Sequence, residues 1–329
     1  MRLLVTGATG FIGRTLVLRA LEDRGIDQVI APVRSEKKLR QQLAREGVGD
    51  LQKLRILEAE APHWDFRGLG SVDRVVHCAG VLFGRTRDEY FRVNVDGTLR
   101  LIETLAGQPP IVLLSSQAAG GPTPLGRFAK TEEDPDCPIS WYGESKLKME
   151  EAVRARSLPQ PVFFLRAPMV LGPGDRATLP LFRMVQAPIW PKPGMRPKHY
   201  SWVSSDDLVS AIDAWFDRGE RSSTAHVTSP GTITDISLME TVARVSGRRG
   251  LLLPLPQIFL KPVALASKFI PVIGKRVPSL IPDRAREIWP DRWVVEGKSF
   301  HDSTGWHGKA TLEETLRRTL AWFRREGLV

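Results

Sequence analysis

The chain has 329 residues, 47 Lys and Arg against 37 Asp and Glu, and a formal net charge of +10 with 42% hydrophobic residues. That length allows two domains, and the composition is that of an ordinary globular protein, not a disordered or fibrous one. The basic residues are scattered and no helix-turn-helix or zinc spacing appears, so a solvated basic surface is expected and a nucleic-acid partner is not.

The first half alternates short apolar runs with helical patterns. LLVT is followed by FIGRTLVLRALEDRG, whose Leu16, Ala20 and Leu21 recur at helical spacing and whose Gly25 is a stop. QVIAPV, the polar helix SEKKLRQQLAREG and the strand LRILEA come next. VDRVVHCAG, a long helix around DEYFRVNVDGTLRLIETLA, the strand IVLLSS, the segment SWYGESKL and the strand PVFFLRAP complete the series. Strict alternation of this kind predicts βαβ units and a parallel sheet covered on both faces. From about residue 166 prolines, glycines and tryptophans dominate, which predicts a smaller, loop-rich lobe. The expected division is a nucleotide domain over 1–167, rejoined by 199–228, and a substrate lobe over 168–198 and 229–329.

TGATGFIG sits between the first strand and the first helix, with glycines at 7, 10 and 13. Gly7 permits a tight turn, Gly10 lets a pyrophosphate approach the backbone, and Gly13 allows close helix packing. The helix N-terminus then offers N–H groups to phosphates, so a Rossmann-type doubly wound sheet binding a dinucleotide is predicted. An acidic side chain ending the second strand would bind a ribose diol; here Val33 holds that place, followed by Arg34, Ser35 and Lys38, which favours NADP(H) over NAD(H). Tyr142 stands four residues before Lys146, so a phenol and an ammonium share one helix face. Such a pair is either an exposed accident or a proton-transfer acid with its tuning cation.

The ordered series TGATGFIG, HCAG, NVDGT, LLSS, YGESK, LRAPMVLGPGD, WVSSDDL and GWHGKATLEETLRRTLAWFRREGLV resembles the extended short-chain dehydrogenase/reductases, also called the NAD-dependent epimerase/dehydratase superfamily. The AAGGP after LLSSQ, and the strand end at Val33 and Arg34, look most like the 3β-hydroxysteroid dehydrogenase and dihydroflavonol reductase branches. The resemblance implies catalytic roles for Ser116, Tyr142, Lys146 and Asn94. It implies cofactor contacts from Thr6, Gly7, Thr9, Gly10, Phe11, Ile12, Gly13, Arg34, Ser35, Lys38, Glu60, Ala79, Gly80, Tyr142, Lys146, Pro168 and Val170. Phe83, Ser116, Met169, Tyr200 and Trp202 are the expected substrate neighbours.

The function expected is interconversion of a ketone and a secondary alcohol on a mostly apolar small molecule. A sugar-nucleotide epimerase or dehydratase with tightly held NAD is the alternative, for which Arg85, Arg87, Arg176 and Arg183 would serve a diphosphate. A non-catalytic nucleotide-binding subunit or redox sensor on the same fold is another. No metal is expected, because His77, His199, His226, His301 and His307 lack ligand spacing. Cys78 and Cys137 stand alone, MRLLVTG begins without a signal sequence's features, and no apolar run reaches the roughly 18–20 residues of a membrane span, so a cytoplasmic protein is expected. A homodimer is expected by analogy. Lys261, Lys268 and Lys275, opposite Phe259, Val263 and Ala266, make a basic amphipathic stretch within 251–283 that could touch an anionic membrane surface.

Overall fold

A computed structural model describes residues 1–218, 221–256 and 282–329. The amphipathic pattern centred on Lys261, Lys268 and Lys275 lies outside them. The chain divides into two compact units, one of Met1–Ser116, Ser145–Arg166 and Val209–Ala225, the other of Gln117–Glu144, Ala167–Leu208 and His226–Val329.

The first unit is built on strands β1 (Arg2–Thr6), β2 (Gln28–Val33), β3 (Leu54–Glu58), β4 (Arg74–His77), β5 (Ile111–Ser116), β6 (Val162–Ala167) and β11 (Ser223–His226), in the spatial order β11-β6-β5-β4-β1-β2-β3. The pairs β1–β2, β2–β3, β1–β4 and β4–β5 are all parallel. The chain order reverses between β1 and β4, so the carboxyl ends of those two strands open a crevice suited to a ligand. Helices α1 (Phe11–Glu22), α2 (Glu36–Arg45), α3 (Arg87–Phe91), α4 (Gly97–Thr104), α6 (Trp141–Arg154) and α8 (Ser205–Arg218) connect the strands, in the βαβ alternation read from the sequence. One core joins Leu4, Ile30, Val75, Ile111, Leu113 and Phe164 of the sheet to Leu101, Ile102, Met149 and Val153 of the helices. On the other sheet face Phe163 stacks on Trp215 of α8, with ring centroids 5.4 Å apart. Strands buried on both faces explain why β1, β5 and β6 read as unbroken apolar runs.

The long helix expected around Asn94 is interrupted. Residues Arg92–Asp96 form a π-helical turn between α3 and α4, closed by Gly97 N–H donating to the Arg92 carbonyl five residues back. Apolar periodicity carries no signal for that extra residue.

The second unit holds α5 (Gln117–Gly120), β7 (Met169–Leu171), α7 (Leu179–Met184), β8 (Ile189–Pro193), β9 (His199–Tyr200), β10 (Trp202–Ser204), β12 (Ile233–Thr234), α9 (Asp235–Val245), β13 (Leu251–Leu255), α10 (Pro282–Ala285), a 3₁₀ turn (Arg286–Ile288), β14 (Arg292–Trp293), α11 (Lys298–Thr304) and α12 (Leu312–Arg325). The lobe expected to be loop-rich is thus stitched by small sheets, β10 with β7, β13 with β8, and β9 between β12 and β14. Segments 117–144 and 199–208, which the sequence suggested for the nucleotide domain, belong here. Thr123 N–H donates to the Arg292 carbonyl at 3.1 Å, Lys130 bridges to Val295, and Trp202 pairs in parallel register with Met169. These partners lie far apart in sequence, so local pattern could not announce them.

Candidate active site

The glycine turn folds as its spacing requires. Gly7 has φ +72°, and a Cβ there would stand 2.8 Å from the Ala79 nitrogen, so only glycine fits between β1 and the loop after β4. A Cβ on Gly13 would run into the Gly7 carbonyl, which is why α1 can start directly over the turn. Gly10 accepts the start of α1 with no side-chain cap, and Phe11, Ile12 and Gly13 open the helix. Its first N–H groups therefore have no side-chain acceptor, an arrangement that fits a phosphate. Thr9 is held from behind, its carbonyl accepting the Gln42 side-chain amide at 3.3 Å. Gln42 sits on α2, where no motif or spacing marks it out.

The two strand tips at the crevice are fixed by a buried histidine. His77 shares hydrogen bonds with Thr6 Oγ1 at 2.8 Å and Thr98 Oγ1 at 2.9 Å, and Thr6 Oγ1 also accepts from Ala79 N–H at 3.2 Å. Burial, with a smaller contribution from Lys146, pushes His77 down to about 3, so the ring is neutral and serves as a strut. Beside it Gly80 leaves room for two polar groups, a Cβ there coming 3.0 Å from Asn94 Oδ1 and 3.4 Å from Lys146 Nζ.

Asn94 comes from the π-helical turn, a conformation that recurs at functional sites. It is 1% exposed, accepts Val81 N–H at 2.7 Å, and donates to the Val81 carbonyl at 3.2 Å and Ser145 Oγ at 2.9 Å. Lys146, 6% exposed, donates to the Leu114 carbonyl at 2.8 Å. Burial pushes its ammonium down to about 8, opposed by the Glu150 carboxylate. Cys78 is itself pushed up to about 12 by burial, so it stays a thiol.

The serine pair ending β5 is split by strand alternation. Ser115 is buried and donates to Glu150 Oε1 at 2.5 Å, whereas Ser116 points to the opposite face and is half-buried. Glu150 also receives Arg166 Nε at 3.0 Å and Nη2 at 2.8 Å, and Arg154 Nη2 at 2.9 Å. Glu150 lies one further turn beyond Lys146, so Tyr142, Lys146 and Glu150 form one stripe at four-residue spacing along α6. The four-residue spacing that marks Tyr142 and Lys146 in the sequence extends to Glu150 as well.

Tyr142 stands one turn before Lys146 on this continuous 14-residue helix and is 9% exposed. Gly143 lets the helix approach α5, since a Cβ there would meet the Ala118 carbonyl.

The other expected residues are placed as follows. Arg34 is exposed at the tip of β2 and makes no ion pair among the described residues, and Lys38 is exposed on the first turn of α2. The Ser35 hydroxyl caps α2 by accepting Lys38 N–H at 3.3 Å. Glu60 is exposed in a turn where its carbonyl accepts His63 N–H at 2.9 Å. Phe83 is half-buried. In the second unit Pro168 is buried, while Met169, Val170 and Tyr200 are half-buried on β7 and β9. Trp202, expected against substrate, is 1% exposed and packed into that unit's core with Trp190, Phe182 and Phe323, so its ring serves packing. Among the described residues no cluster of His, Cys, Asp and Glu could hold a metal ion, and no helix is long and apolar enough to cross a membrane.

The model of the NAD dependent epimerase/dehydratase family matches residues 3–228. A ceramide reductase from Caulobacter vibrioides is 32% identical over 57% of this chain, which spans about half of that protein, 52% of its length. The decarboxylating sterol-4-alpha-carboxylate 3-dehydrogenase of Saccharomyces cerevisiae is 27% identical over 77% of both chains. In fold, the structure of MoeE5 in complex with UDP-glucuronic acid and NAD superposes with a TM-score of 0.76 over 99% of this chain and 100% of its own, at 21% identity. The family model reaches from the first strand of the sheet to its last, and on that ground this chain belongs to the NAD dependent epimerase/dehydratase family.

Proposed function

We propose that the chain is an NADP(H)-dependent oxidoreductase that interconverts a ketone and a secondary alcohol on a mostly apolar small molecule. The observation that carries the cofactor choice is Arg34, an exposed guanidinium at the tip of β2 with no ion pair among the described residues, where a diol-binding acid would otherwise stand. The apolar substrate is supported by two relatives that are, by name, a ceramide reductase and a sterol dehydrogenase.

The glycine turn and the uncapped start of α1 would hold the pyrophosphate, and Arg34 and Lys38 a 2′-phosphate. The bound nicotinamide would supply or accept hydride. The protein's task is then the proton. A free phenol has a pKa of about 10 and is a poor base at neutral pH. Lys146, fixed by the Leu114 carbonyl, would favour the Tyr142 phenolate and turn its remaining N–H groups towards a ribose. Ser116 would hold the substrate oxygen, and Asn94 would brace the loop at Val81 and position solvent behind Lys146.

The test is direct. Purified protein should consume NADPH with a member of a panel of long-chain and polycyclic ketones, and Arg34→Ala should weaken NADPH binding about tenfold or more while leaving NADH binding unchanged. Equal affinities for both nucleotides in both proteins would refute the cofactor assignment. Protein that purifies with NAD bound and turns over a nucleotide sugar without added reductant would refute the substrate class.

A further inference from the structure

The N-terminus of α6 is gripped by a short segment more than a hundred residues downstream. Asp283, 4% exposed on α10, accepts Trp141 N–H through Oδ1 at 2.7 Å. Ser140 caps the helix by accepting Gly143 N–H at 3.0 Å, and its hydroxyl donates to Glu287 of the 3₁₀ turn. Glu287 also pairs with Arg284, and its carbonyl accepts Trp293 Nε1–H at 2.9 Å. The result is a clamp that sets the Arg284 guanidinium over the Tyr142 ring, 4.4 Å from its centroid.

A cation over an aromatic face is attracted by the ring's negative surface, and the attraction grows when the ring carries a full negative charge. Lys146, one turn along the helix, is a second cation on the same face. Its charge is conditional, because burial brings it to about 8, whereas a guanidinium keeps its proton at every accessible pH. Two carboxylates on the clamp oppose Arg284. Asp283 is spent on the Trp141 N–H, and Glu287, pushed up by burial, is shared between Ser140 and Arg284. Glu144, on α6 itself, is half a turn away from Tyr142. The start of the helix adds a partial positive charge of its own.

We propose that Arg284 is a positioning residue for Tyr142: the clamp of Ser140, Asp283 and Glu287 holds a permanent positive charge over the phenol ring and favours its deprotonated form. The idea rests on the proposed function only in taking Tyr142 as the proton-transfer residue.

The chain has three tyrosines, which makes the titration readable. Burial raises Tyr200 above the ordinary value, and the proposal expects the lowest tyrosinate transition in ultraviolet difference absorbance to be that of Tyr142. Measured on the full chain without substrate or nucleotide, that transition should vanish in Tyr142→Phe. It should move up by about one pH unit, a tenfold change in proton affinity, in Arg284→Met. Arg284→Lys should restore most of the shift, and Glu287→Gln should move the midpoint down. An unchanged midpoint in Arg284→Met overturns the proposal, as does a low transition that survives Tyr142→Phe. If Arg284→Met does not fold, an unchanged midpoint in Glu287→Gln has the same force. No substrate enters the titration, so failure of the ketone panel leaves this result standing, and the reverse holds too.

Discussion

Replacing Lys146 by Met should make the nucleotide-free protein more stable at neutral pH while disabling it. The ammonium is 6% exposed and pushed down to about 8, against roughly 10.4 for an exposed lysine. Each unit corresponds to about 1.4 kcal/mol, so keeping the buried lysine charged below pH 8 costs about 3 kcal/mol. The methionine leaves the Leu114 carbonyl without that donor, which costs roughly 1–3 kcal/mol and leaves a net gain of about 1 kcal/mol. The sign of the pH dependence follows from the depressed value. Below about pH 8 the folded and unfolded chains both hold the proton and the cost is fully present. Between about 8 and 10.4 the unfolded chain holds it and the folded chain does not, so wild-type stability rises with pH. Urea unfolding of both proteins should therefore show wild type gaining on Lys146→Met by about 2 kcal/mol from pH 8 to 9.5. Taking the difference removes every group the two proteins share. A difference that stays flat across that range would mean that Lys146 keeps its proton in the crevice, and the burial argument would fail.

Tyr142→Phe should keep NADPH affinity within about twofold and lose at least about 100-fold in turnover on any ketone the wild type reduces, measured by steady-state kinetics. Glu150→Leu strands the buried Arg166 guanidinium and should cost about 3–5 kcal/mol in thermal unfolding. Adding Arg166→Met should recover most of the loss, since an apolar pair replaces the ionic one. Asp207 accepts Lys309 and Ala310 N–H at 3.0 Å each and takes the Ser229 hydroxyl, tying the chain ahead of α12 to the start of α8. Asp207→Ala should speed hydrogen exchange over 308–325 at least about tenfold, with exchange in the strand β1 unchanged.

What could be read from the sequence was whatever physics writes locally. The glycines at 7 and 13 answer to backbone clashes within a dozen residues or with the adjacent strand tip, and Tyr142 and Lys146 share a helix face by spacing alone. The strands β1, β5 and β6 were visible because burial on both faces demands unbroken apolar runs. Contacts made across long stretches of chain left no such mark. Gln42 behind the Thr9 carbonyl, the small sheets of the second unit and Arg284 over Tyr142 each join residues that no window spans. Trp202 shows a different failure. An aromatic residue near a strand end suits a pocket wall and a core equally well, and only packing distinguishes them.

The surplus residue in the Arg92–Asp96 turn makes the phasing of its helix a fixed dimension of the protein. Upstream of Gly97, Asn94 reaches Val81 and Ser145; downstream, Thr98 returns to the Asn94 carbonyl at 2.7 Å and to the His77 ring. Excising any one residue from that turn would give a smoother cylinder and rotate everything beyond it by about 100°. Thr98 would swing off the strut between β1 and β4, or Asn94 would leave the loop after β4. A shortened chain with better local geometry would thus lose the joint that lets one helix serve both.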